Sequence, residues 1–91
     1  MARSRTTRLI DCPKNTWTRV ARGSFHNVGS TYALTARDSS FNWRLRSSSP
    51  PFQQQGQVGI DVEERITVGS NLFWRLDVYP YEDTTIQVRV V

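Results

Sequence analysis

Apolar and polar residues alternate along most of this chain with a period of two, and no window carries a helical stripe. Phe41, Trp43 and Leu45 interleave with Asn42, Arg44 and Arg46, which gives a strand one apolar and one polar-cationic face. Tyr32, Leu34 and Ala36 interleave in the same way with Ala33, Thr35 and Arg37. Further on, Leu72, Trp74, Leu76 and Val78 alternate with Phe73, Arg75, Asp77 and Tyr79, and Ile86, Val88 and Val90 alternate with Gln87, Arg89 and Val91. Shorter strands are predicted over 7–10, 16–22, 57–62 and 65–68. β-Branched and aromatic residues dominate these runs, as a pleated, half-buried surface favours.

Turn chemistry separates the runs. Asp11 to Asn15, Asn27 to Ser30, Asp38 to Ser40, Gly69 to Asn71 and Pro80 to Asp83 each supply Gly, Pro, Asn or Asp where the chain must reverse. One long connection is predicted over 47–56, where Pro50 and Pro51 forbid helix and stiffen the backbone. Six to eight short strands with frequent turns predict an all-β fold, a single small β-sandwich or jelly-roll-like barrel over 9–91. An extended basic arm over 1–8 precedes it. The predicted core is Trp17, Leu34, Trp43, Leu45, Val58, Ile60, Ile66, Trp74, Leu76, Ile86 and Val88.

Size sharpens the picture. A chain of 91 residues suits one domain and buries only about 60–65% of the surface its unfolded form exposes. Cys12 is the sole cysteine, so no internal disulfide can help; it reads as a small buried apolar residue. Docking or oligomerisation is the usual remedy for so small a core. No apolar run reaches the length of a membrane span, and no signal-peptide core follows the basic start, so a soluble protein made in a cytoplasm is expected.

Charge is unevenly placed. Residues 1–50 carry nine basic residues against two acidic ones, a balance of +7, whereas residues 51–91 carry three against six, a balance of −3. All the cations except Lys14 are arginines, which fork onto carboxylates and stack on rings better than lysine does. Interface builders and phosphate binders both use arginine in this way.

Catalytic chemistry is not evident. His26 is the only histidine and falls in a predicted turn; with Cys12 it offers two soft metal ligands where zinc wants three or four. Glu63 and Glu64 are adjacent and point to opposite faces of a strand, so they cannot form a facing carboxylate pair. Neither a phosphate-binding loop nor a nucleophile elbow is present. A non-enzyme without cofactor or metal is expected.

Two binding readings remain. Arg44 and Arg46 share a polar face, and Arg37 could lie on a neighbouring strand, which would suit a nucleic-acid groove. Against that, Phe41 and Trp43 lie on the opposite face, in the core. The interface reading accounts for more residues. Phe73 and Tyr79 alternate with the Trp74 face and need cover from outside, and Trp, Tyr and Arg dominate binding hot spots. The uneven charge suits head-to-tail packing or docking onto an acidic platform.

Three stretches carry a family resemblance. Asn15-Thr16-Trp17-Thr18-Arg19-Val20-Ala21, Arg46-Ser47-Ser48-Ser49-Pro50-Pro51, and Asn71-Leu72-Phe73-Trp74-Arg75 with the closing valine-rich strand resemble small bacteriophage virion proteins. Arg75 follows Trp74 directly, where that pattern has a small residue between them. The resemblance implies a β-sandwich or barrel that acts as a head decoration or cement protein, or as a tail part, and it implies no catalytic residue. The expected function is binding and stabilising a capsid, with the major capsid protein or other virion subunits as partners, homo-oligomerisation, and a location in the virion. Two contacts are expected: an arm of Arg3, Arg5 and Arg8 reaching a neighbour's carboxylates, and Phe52, held by Pro50 and Pro51, as an apolar anchor. The alternatives are a tail or head–tail connector component, a nucleic-acid-binding module using Arg37, Arg44 and Arg46, and a small host-directed inhibitor.

Overall fold

A computed structural model describes residues 7–23, 30–48, 52–68 and 73–91. They form eight strands: β1 (Thr7–Cys12), β2 (Thr18–Gly23), β3 (Ser30–Ala36), β4 (Phe41–Ser47), β5 (Gln53–Val58), β6 (Glu64–Val68), β7 (Trp74–Pro80) and β8 (Thr84–Val90). No helix occurs among the described residues. The strands make two four-stranded sheets, ordered β1-β8-β3-β6 and β2-β7-β4-β5, with every neighbouring pair antiparallel. Four of those pairs are nested in sequence: β1 with β8, β2 with β7, β3 with β6, and β4 with β5.

The two-residue alternation explains which side chains meet. Leu34, Ile66, Ile86 and Val88 from the first sheet share one apolar cluster with Phe41, Trp43, Leu45, Trp74, Leu76 and Val78 from the second. Fully burying an aliphatic or aromatic side chain of this kind contributes about 1.5–3 kcal/mol, most of it offset by chain entropy. Cys12 belongs to this cluster and is only 2% exposed. Burial pushes its thiol pKa up, which keeps the sulfur protonated and inert.

Gly56 permits one close contact. It pairs with Trp43 across β4 and β5, and a Cβ placed there would lie 2.6 Å from the indole Nε1. The ring therefore lies over the bare backbone of the edge strand. Two turns use positive φ at residues whose short side chains tolerate it: Asn15 between β1 and β2, and Asp61 between β5 and β6.

Four expectations are corrected. Trp17 is 38% exposed and lies outside the core, because it precedes β2 and its ring stacks on the outer side of the second sheet. Ile60 is 58% exposed, since β5 ends at Val58 and the chain turns through Asp61. The strand read over 57–62 is in fact Gln53–Val58. The connection read over 47–56 shrinks accordingly, because Gln53 to Gly56 pair with β4. Arg3, Arg5, His26, Pro50 and Pro51 lie outside the described residues.

Candidate functional site

The two sheets turn very different outer faces to solvent. On the first, Thr7, Arg89, Ala33 and Arg65 lie in one cross-strand row. Glu63 ties both arginines of that row, accepting from Arg65 Nε at 2.8 Å and from Arg89 Nη2 at 2.7 Å. The hydrogen bond from Arg65, and then that from Arg89, hold the Glu63 carboxyl below the usual glutamate range.

The second sheet is dominated by guanidinium groups. Register places Arg22, Arg75 and Arg46 directly opposite one another on β2, β7 and β4, with Gln53 of β5 completing the row. The adjacent row reads Arg19, Asp77, Arg44 and Gln55. Like charges facing each other across strands destabilise a sheet, so three arginines in line call for a compensating charge.

Asp77 supplies it. Its outward-pointing carboxylate is fully buried beneath the arginines around it. Asp77 Oδ2 accepts from Arg44 Nη2 at 3.3 Å and from Arg46 Nη2 at 3.4 Å, while Oδ1 accepts from Arg75 Nε at 3.1 Å. One buried carboxylate thus organises three cations and still leaves the face positively charged. Arg19 and Arg22 form no ion pair among the described residues.

Aromatic rings border this cluster on the same side. The Arg44 guanidinium carbon lies 4.0 Å from the Trp17 ring centroid, a stacked cation–π contact. Trp17 packs on Tyr79 with centroids 5.3 Å apart, and Tyr79 meets Tyr81 edge-on at 6.0 Å. At the other end, Arg19, Arg22, Arg46 and Arg75 line an open groove with Phe73 and Ser48. Phe73 is exposed there. Each element contributes through alternation: side chains of β2, β4 and β7 that do not face the core must face this surface.

No protein-family model, no curated protein and no solved structure matches this chain.

The arrangement can hold anionic or aromatic groups through multiple guanidinium donors. No group of His, Cys, Asp or Glu able to hold a metal ion occurs among the described residues. Of the residues anticipated from sequence, Arg44, Arg46 and Tyr79 come together on this face, and Phe73 lies at its groove end. Arg37 does not join them. It follows β3 of the other sheet, so the trio Arg37, Arg44 and Arg46 is broken up. Arg8 belongs to β1 rather than to a free arm, and its Nη2 donates to the Val20 carbonyl at 2.6 Å. That carbonyl lies at the β2 irregularity between Arg19 and Ala21, where Val20 has no partner on β7. Phe52 is exposed beside the β4–β5 connection, and its carbonyl accepts from the Ser47 amide.

Sequence reasoning missed Asp77, Arg19, Arg22 and Arg75. A signal existed for Asp77: an acid at an outward position between Arg75 and Tyr79, on a strand otherwise apolar or cationic.

Proposed function

We propose that this chain is a jelly-roll sandwich and a non-enzymatic structural subunit of a bacteriophage particle, a decoration or cement protein. It binds neighbouring protein subunits through the arginine face of the second sheet. The nested pairing of β1 with β8, β2 with β7, β3 with β6 and β4 with β5 is jelly-roll connectivity, an order found in viral capsid and lectin domains. Fold alone does not assign function; the face carries the reading. The deciding observation is the in-line trio Arg22, Arg75 and Arg46, of which Asp77 pairs with Arg75 and Arg46 and leaves Arg22 without an ion pair among the described residues. That arrangement works against the isolated sheet and favours an acidic partner. Guanidinium forks pair with carboxylates, and Trp17 and Tyr79 add rigid contact area. A protein that binds only the assembled shell stabilises it by linkage.

The test is co-sedimentation with empty shells of the phage. Wild-type protein is expected to pellet with the shells, and Arg22→Glu with Arg19→Glu is expected to remain in the supernatant. Equal pelleting of both, or of neither, overturns the reading.

A second reading is favoured by one observation: Trp17, Tyr79 and the arginines occupy one side of one sheet, as a single-strand nucleic-acid platform requires. Oligonucleotide affinity falling steeply with salt would select it, because released counterions set that slope.

A further inference from the structure

The strands run between two ends of opposite charge. β7 starts at Trp74, which pairs with Gly23 and Ser47, and it finishes at Pro80, which pairs with Phe41. The arginine groove lies at the Trp74 end. At the Pro80 end the connections after β1, β3, β5 and β7 knit together. Asn15 N donates to the Pro80 carbonyl, Asp61 N to the Ala36 carbonyl, and Tyr81 N to the Ser40 carbonyl. Ser39 Oγ accepts from the Tyr81 and Glu82 amides, and Asp83 Oδ1 accepts from the Lys14 amide.

Leaving aside Glu63, which is paired with Arg65 and Arg89, this knitted end carries Asp11, Asp38, Asp61, Glu82 and Asp83 against Lys14 and Arg37, a balance of −3. The groove end carries Arg19, Arg22, Arg46 and Arg75 over Asp77, a balance of +3. Both ends also expose large apolar side chains. Ile60 and Val62 stand at the acidic end, and Phe52 and Phe73 at the cationic one. Charge and apolar character therefore match between opposite ends of the same molecule.

We propose that the arginine groove receives the acidic loop end of a second copy, so that copies associate head to tail. The inference rests on the reading of this face as a protein-binding surface and names its occupant. Such a contact is heterologous. It closes into a ring if its rotation permits, and otherwise grows into a filament. Steering by opposite charges makes it salt-sensitive.

Sedimentation velocity on the purified full chain, without shells, tests it. Two variants reverse one end each and avoid the Asp77 network: Arg19→Glu with Arg22→Glu, and Asp38→Lys with Glu82→Lys. Wild-type protein is expected to sediment faster as its concentration rises, and to return to the monomer value in high salt. Each variant alone is expected to associate at least about ten-fold more weakly, and an equimolar mixture of the two to recover association, since each supplies the end the other has lost. Far-UV circular dichroism checks that both fold; the milder pair Arg22→Gln and Asp38→Asn gives the same ordering if either does not. A wild type that stays monomeric at every concentration overturns the proposal. So does association that both variants retain, or a mixture that remains monomeric. A monomer whose groove binds an oligonucleotide instead assigns the groove to nucleic acid and likewise overturns it. Shell binding by a monomeric wild type would sink this inference and leave the decoration reading standing.

Discussion

Asp77 shows how one buried carboxylate can hold three cations on a sheet face. A buried carboxylate without partners would cost several kcal/mol, and its three arginines offset that cost while staying partly in water. Replacing it with asparagine removes the charge and leaves three guanidinium groups facing one another. Asp77→Asn is expected to lower unfolding stability by about 2–4 kcal/mol, somewhat below the usual loss for a fully buried pair because the arginines can reorient into solvent. Urea denaturation followed by tryptophan fluorescence measures it, and an unchanged midpoint would refute the role. Glu63 gives a milder case on the other face. Hydrogen bonds from Arg65 and Arg89 lower its pKa, so its stabilising contribution is present above the ordinary glutamate range and is lost as pH falls through the lowered value. An NMR titration of the Glu63 carboxyl should report that lowered value in the wild type and a rise toward the ordinary one in Arg89→Gln. A titration that Arg89→Gln leaves unmoved would remove Arg89 from the account.

At the scale of elements, the β4–β5 hairpin depends on Gly56. A methyl group there would collide with the buried Trp43 indole, whereas at Gly59 it would meet Val62 Cγ2 at an ordinary 3.6 Å. Gly56→Ala is expected to cost about 1–3 kcal/mol through overpacking, and Gly59→Ala to be near neutral. Thermal unfolding of the two variants distinguishes them, and near-ultraviolet circular dichroism should show Trp43 disturbed only in the first. The same hairpin marks where sequence reading reached its limit. β3, β4, β7 and β8 were legible because large apolar residues alternate with polar ones, and only extended backbone sends successive side chains to opposite faces. β5 was not, because Gln53 to Gln57 carry no such alternation; their register comes from β4. Trp17 was misplaced because its size outweighed its position, although it shares outward parity with Arg19 rather than with Val20, which lies in the core. The in-line arginines could not be read at all. Their alignment exists only once β2, β7 and β4 lie side by side, with the β2 irregularity shifting Arg22 opposite Arg75.

Taken as a whole molecule, nearly all the pairing is remote in sequence. Among the described strands only β4 and β5 are neighbours both in sequence and in a sheet; β1 must find β8, and β2 must find β7. Loop closure has to precede those contacts, so refolding is expected on the millisecond-to-second scale typical of sheet proteins dominated by distant pairings. Stopped-flow fluorescence would check this, and microsecond refolding would contradict the topology. The concentration of cations on one sheet and the knitted acidic end also mean that ionic strength acts on the charge of whole faces of the molecule rather than on one contact.

The pairing of β1 with β8 has a practical consequence. Thr7 stands opposite Arg89, so the first and last strands come together at one place. A short linker could splice them into a continuous strand–turn–strand unit, and the backbone could be cut anew within the exposed residues between β5 and β6. Such a circular permutant would keep the pairing of both sheets while opening the backbone at the end opposite the arginine groove.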